Sequence, residues 1–328
     1  MNTRNIRFKS NRVHDILALY HEELDPLYGP GEVAAFGEML FEAFLGWDRV
    51  RLLTSKSHTV NQSDLLRLHW ALEDLLRHRP IQHIIGHVDF CGCRIAVSPD
   101  VLIPRPETEE IVNYLVESGK WKVESNATQN TTANLSTFHF PFSTSPLSTP
   151  QVLDLCTGSG CIAIAMKKAF PTADVTAVDL SPAALAVARR NALENAAEVN
   201  FVQSDILAIP KAEGKEENNF NSQFPIFNLI VSNPPYVRLS ERAAMQSNVL
   251  DYEPGLALFV PDDDPLRFYR AIAALAEHRL APDGLLALEI NEALADDTCA
   301  LLRQHGFNPQ VHKDFRDRNR FITATRSL

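Results

Sequence analysis

The sequence predicts an α/β protein: a doubly wound, largely parallel sheet with helices on both faces, preceded by a small helical domain and joined to it by a β-hairpin. Three observations predict it. Residues 11 to about 86 carry helical spacing and almost no strand signal. From residue 151 onward, apolar strand-like runs alternate with helical ones, the rhythm of βαβ units. Between these regions, "GHVDFCGCRIAV" reads as two short strands, near 87–91 and 93–97, turning through a glycine. The expected division is a helical domain over 1–86, a hairpin linker over 87–105 and an α/β domain over 106–328. Two polar stretches, about 123–150 and 211–224, read as surface insertions.

In the first region, "DLLRLHWALEDLLRH" places Leu65, Leu66, Leu68, Ala71, Leu72 and Leu75 on one broad stripe with Arg and Glu opposite. "EVAAFGEMLFEAFLG" reads the same way. In "PRPETEE", Pro106 suits the first turn of a helix, and Glu107, Glu109 and Glu110 sit where the helix dipole favours anions. Strands are then expected in "QVLDLCT", "DVTAVDL", "VNFVQSDI", "FNLIVSNPP" and "GLLALEI". "RFITATR" is expected to add an antiparallel strand.

The bulk numbers narrow the function. At 328 residues, 45% apolar and 22% charged, the chain has ordinary globular composition. No apolar run approaches the ~20 residues that cross a bilayer, and no secretory pattern is present. A cytoplasmic protein with no membrane partner is expected. Five cysteines (Cys91, Cys93, Cys156, Cys161 and Cys299) form no paired CxxC sets and read as free thiols. His87, His139 and His312 lack metal-ligand spacing, so no metal is expected. A net charge of −10 argues against a generic grip on nucleic acid.

The chemistry gathers at strand ends. "VLDLCTGSGCIAIA" ends a strand with Asp154 and turns through Cys156, Thr157, Gly158, Ser159 and Gly160 into a helix. Glycines there let backbone amides approach a ligand. Nineteen residues after Gly160, Asp179 ends the next strand, where an acid can accept both hydroxyls of a ribose. The dinucleotide pattern GxGxxG is absent, which disfavours an oxidoreductase. The combination fits a nucleoside with a zwitterionic tail, as in S-adenosylmethionine. Asp205, followed by Ile206, ends a third strand.

The fourth strand runs into "SNPPYV". Prolines end a strand, and here they stiffen a corner that can hold two acceptors, the Asn233 side-chain oxygen and the Pro234 carbonyl. Two such acceptors suit a planar NH2 group. An amide nitrogen is a poor nucleophile because its lone pair is delocalised, as the ~18–20 kcal/mol amide rotation barrier shows. Drawing both hydrogens to fixed acceptors favours a pyramidal nitrogen with its lone pair aimed at an electrophilic methyl. Beyond Pro235, the Tyr236 ring can pack against a planar substrate group.

These residues resemble the amino-group methyltransferases with an Asn/Asp-Pro-Pro-Tyr motif, and more narrowly the HemK/PrmC family of protein-glutamine methyltransferases. The likeness covers roughly residues 65 to 325. "RPIQHIIGHVDFCGCRIAVSPDVLIPRPETEEIV", "AVDLSPAALAVARRNA" and "YEPGLAL" continue it. It implies a seven-stranded, Rossmann-like class I methyltransferase domain behind a helical substrate-recognition domain. It also implies methyl transfer from S-adenosylmethionine to the glutamine amide in the Gly-Gly-Gln loop of peptide chain release factors. Thr157 to Gly160, Asp179 and Asn233 would then contact the cofactor, with Cys156, Asp205 and Ile206 beside them. Asn233, Pro234, Pro235 and Tyr236 would hold the glutamine. Cys156 stands where the family usually has glycine, and Ile206 where some members carry an aromatic residue. A sister group acts on a large-subunit ribosomal protein but tends to lack the "RPETE" form of Arg105 to Glu109. Nucleic-acid adenine methylation, or a cofactor-binding module without catalysis, are the remaining alternatives.

Overall fold

The computed structural model describes residues 8–120, 149–208 and 224–327. The expected insertions at 123–150 and 211–224 lie almost wholly outside the described residues. The chain separates into two compact units, one of Met1–His87 with Gln246–Tyr252 and one of Val88–Met245 with Glu253–Leu328.

The first unit is helical, with α1 (Val13–Tyr28), α2 (Pro30–Leu45), α3 (Arg49–Thr54), α4 (Gln62–Leu76) and α5 (Ile81–Ile85). Pro30 opens α2, as its fixed torsion and missing donor allow. Asn61 caps α4 by accepting from the Asp64 amide at 2.8 Å. The core gathers Ile16, Tyr20, Leu24, Leu40, Phe41 and Leu72. Two tyrosines find partners for their hydroxyls: the buried Tyr20 donates to the Leu68 carbonyl and the half-buried Tyr28 to that of Leu75, both at 2.6 Å. The stripe expected on α4 is corrected at one position. Leu68, Ala71, Leu72 and Leu75 are buried, but Leu66 is 43% exposed. At ~100° per residue, Leu66 lies about 160° around the helix from Leu68 and faces away from the core.

In the second unit, a seven-stranded sheet has the order β10-β11-β9-β6-β3-β4-β5. Its strands are β3 (Gln151–Leu155), β4 (Asp174–Asp179), β5 (Asn200–Gln203), β6 (Phe227–Ser232), β9 (Leu280–Glu289), β10 (Phe307–Lys313) and β11 (Asn319–Arg326). The first five are mutually parallel, and β11 runs antiparallel to both β9 and β10. Side chains alternate faces. Val152, Leu229, Val231 and Ala287 pack with α6 (Pro106–Lys120) and α7 (Cys161–Ala169). Leu153, Leu155, Ile230, Leu286 and Leu288 pack with the helices Arg267–Arg279 and Ala295–Gln304.

Two shorter sheets complete the fold. β1 (His87–Phe90) and β2 (Cys93–Ala96) form the expected hairpin, while β7 (Val237–Arg238) pairs with β8 (Phe259–Val260) just beyond Tyr236. The sequence reading missed β7, β8 and β10. Because β3 is flanked by β4 on one side and β6 on the other, the winding direction reverses there. A crevice therefore opens beyond the carboxyl ends of these strands.

Candidate active site

The glycine turn between β3 and α7 is held from several sides. The Thr157 amide donates to the Val178 carbonyl and the Gly160 amide to the Thr157 carbonyl. At Gly160, with φ +81°, a side chain would be strained and crowded, since a Cβ there would stand 3.0 Å from the Ala188 Cβ. From α8 (Pro182–Glu194), the buried Asn191 donates to the carbonyls of Ser159 at 2.9 Å and Ala96 at 3.0 Å. Cys156 adopts φ +61°, the left-handed region in which a side chain is unusual. Burial pushes its thiol far above the ordinary range, so it stays protonated.

Three acids mark the ends of the first three sheet strands. Asp154 is wholly buried; its Oδ2 accepts from the Thr157 hydroxyl at 2.5 Å and the Ala163 amide at 3.1 Å. Its Oδ1 has no hydrogen-bond partner, and burial raises the carboxyl to about 7. Asp179 accepts from the amides of Gly158 at 2.8 Å and Ser181 at 2.9 Å. Burial raises its carboxyl as well, against those hydrogen bonds. Asp205 turns the chain after β5 by accepting from the Leu207 amide.

At the end of β6, Ser232 donates to the Leu155 carbonyl at 2.7 Å, tying the corner to the glycine strand. Asn233 Nδ2 donates to Thr108 Oγ1 at 3.2 Å. Thr108 in turn donates to Glu289 Oε2 at 2.7 Å, and the Tyr236 hydroxyl donates to Glu289 Oε1 at 2.8 Å. Burial pushes the Glu289 carboxyl up, and burial also pushes the Tyr236 phenol well above its usual range. Asn291 donates to the Tyr236 carbonyl at 3.1 Å. Glu253, from "YEPGLAL", accepts from the Ile103 amide and from Arg105 at 2.6 Å, so two motifs far apart in sequence close on each other.

A cavity of about 400 Å³ lies over these strand ends. Cys156, Thr157, Gly158, Ser159, Asp179, Asp205, Ile206, Asn233 and Pro235 all line it. Gly160, Pro234 and Tyr236 do not, although they shape the turn and the corner that do. The sequence reading assigned no site role to Leu102, Pro104, Thr108, Leu180, Leu256 or Phe268, which also line it. "RPETE" and "YEPGLAL" could have signalled Thr108 and Leu256. The acceptor set suits a ligand with paired hydroxyls: Asp179 lines the cavity beside open backbone at Gly158. Among the described residues no cluster of three or more His, Cys, Asp or Glu could hold a metal ion.

Comparison with known proteins adds an independent line. The family model described as the PrmC N-terminal domain matches residues 28–86, and the one described as the methyltransferase small domain matches residues 130–250. The chain is 37% identical to the release factor glutamine methyltransferase of Bacteroides thetaiotaomicron, an alignment covering 95% of this chain and 99% of that one. It is also 37% identical to that of Flavobacterium psychrophilum, covering 92% and 94%. Among solved structures, a release factor-specific protein-(glutamine-N5) methyltransferase from Alicyclobacillus acidocaldarius is 27% identical, with a TM-score of 0.37. That match covers 71% of this chain and 99% of that one.

Proposed function

The chain belongs to the family of release factor glutamine methyltransferases, and from that premise we propose its reaction. It transfers a methyl group from S-adenosyl-L-methionine to the side-chain amide nitrogen of the glutamine in the Gly-Gly-Gln loop of peptide chain release factors, in the cytoplasm. The observation that carries this reading is the position of Asn233. It lines the same cavity as the glycine turn and Asp179, with its Nδ2 already committed to Thr108.

When bound, the cofactor supplies an electrophilic methyl on a sulfonium. Asp179 would accept the ribose hydroxyls, while the Thr157–Gly160 turn would lie against the cofactor's tail. Ile206 and Cys156 would provide apolar wall. Asn233 Oδ1 and the Pro234 carbonyl would each accept one hydrogen of the glutamine NH2, disfavouring the planar, delocalised amide. Pro235 keeps this corner rigid, and Tyr236, anchored on Glu289, would present its ring to the glutamine. No side chain needs to act as a strong base, because the nitrogen becomes acidic only once it has gained the methyl group. Residues 1–86 would recognise the release factor, with 87–105 as linker and 106–328 as the catalytic domain.

Transfer of labelled methyl to purified release factor, run beside a version whose Gly-Gly-Gln glutamine is alanine, tests the substrate. Labelling that survives the alanine change would overturn it. Asn233→Ala should lower kcat by about 10²–10³-fold, as removing a preorganised polar group at a reacting centre does.

A further inference from the structure

We propose that Thr108 and Glu289 are positioning residues that fix which end of the Asn233 amide faces the cavity, and so select a substrate that offers an NH2 group. The inference rests on the methyl-transfer reading above and adds the machinery that orients its key acceptor.

The argument is one of hydrogen supply. Asparagine's two ends are nearly the same size but opposite in polarity, so packing alone does not choose between them. Thr108 Oγ1 carries a single hydrogen and lies 2.7 Å from Glu289 Oε2. Both Glu289 oxygens accept hydroxyl hydrogens and Arg320 lies near, which holds the group as a carboxylate against its burial. A carboxylate only accepts, so the threonine hydrogen is committed to it. Oγ1 is then left to accept, and Asn233 Nδ2 supplies that hydrogen at 3.2 Å. A reversed amide would set Oδ1 against Oγ1 with no hydrogen between them. Oδ1 is therefore the end left for the cavity, where an NH2 group can donate to it.

The chain ends on one carboxylate that also takes the Tyr236 hydroxyl on its other oxygen, at 2.8 Å. The first and last residues of Asn-Pro-Pro-Tyr thus report to the same group. Thr108 is 2% exposed and Glu289 1%, so water has little access to supply a competing hydrogen. Arg320, itself paired with Asp314 at 3.0 Å, places positive charge near Glu289.

This polarity makes a direct test available. Glu289→Leu keeps much of the bulk but offers the Thr108 hydroxyl no acceptor. The threonine hydrogen is then free to point at Asn233, which reverses the amide and faces NH2 to NH2. Thr108→Val deletes the relay outright, whereas Thr108→Ser keeps the hydroxyl.

The experiment measures kcat for methyl transfer to release factor in wild type and these three variants, with S-adenosylmethionine affinity by calorimetry and melting temperature alongside. Thr108→Val and Glu289→Leu should lose roughly 10–100-fold in kcat, while Thr108→Ser should stay near wild type. Cofactor affinity should not fall in any of the three. Wild-type kcat in Thr108→Val or Glu289→Leu overturns the inference, as does a Thr108→Ser as slow as the valine variant. If Thr108→Val fails to fold, Glu289→Leu decides alone. A wild type that transfers nothing to release factor refutes the proposed reaction itself, and the inference with it.

Discussion

Asp154 shows how a residue can serve a site at the expense of the fold. Burial raises its carboxyl from 3.8 to about 7, so over that window the folded protein holds a proton that the unfolded chain releases. Stability from this group is therefore greatest in acid, falls as pH climbs, and levels off above about 7. A shift of this size is worth at most roughly 4 kcal/mol. Asp154→Asn keeps an acceptor for Thr157 and cannot ionise. Urea unfolding should show its advantage over wild type widening from pH 5 to pH 8. Asp179 is also raised, but it is common to both proteins and cancels in the difference. Parallel stability curves would rule the assignment out.

Legibility at the scale of elements followed from locality. The strands β3, β4 and β6 are buried on both faces and read as apolar runs, and the corner at Asn233 announced itself through its two prolines. β10 did not, because Pro309 interrupts it and its burial alternates at the sheet edge. The pairing of Thr108 with Glu289 was hidden for another reason: they meet across 181 residues, and although "RPETE" marks Thr108, nothing local marks Glu289 as its partner. Asn191 is similar. From α8 it donates to the Ser159 and Ala96 carbonyls and accepts from the Ala96 amide at 2.9 Å, joining helix, glycine turn and hairpin. Asn191→Ala would strand those buried groups and should cost about 2–4 kcal/mol in urea unfolding. Asn191→Asp, of equal size but unable to donate, should recover little of it. A loss within about 0.5 kcal/mol for alanine would show that the three bonds contribute nothing net.

For the molecule as a whole, alternating strands and helices imply a parallel sheet, but they do not state the strand order. That order follows from crossovers only the folded chain displays, and it gathers four separate strand ends around one cavity. Cys156, Asp179, Asp205 and Asn233 follow or end β3, β4, β5 and β6, so a ligand touching all four spans the sheet from its central strand to the β5 edge. Such a ligand must stabilise the whole seven-stranded unit by mass action, about 2.7 kcal/mol at 100 times its Kd. For a unit of this size that amounts to a rise in melting temperature of roughly 5–10 °C. Asp179→Ala removes the acceptor assigned to the ribose and also frees the Gly158 amide, so its melting point without ligand should fall. The informative quantity is each protein's shift from its own ligand-free value. S-adenosylmethionine should raise the wild type by that amount and leave Asp179→Ala nearly unmoved at the same concentration. An undiminished shift in the variant would take the ribose away from Asp179 and require the nucleoside to lie elsewhere along the strand ends.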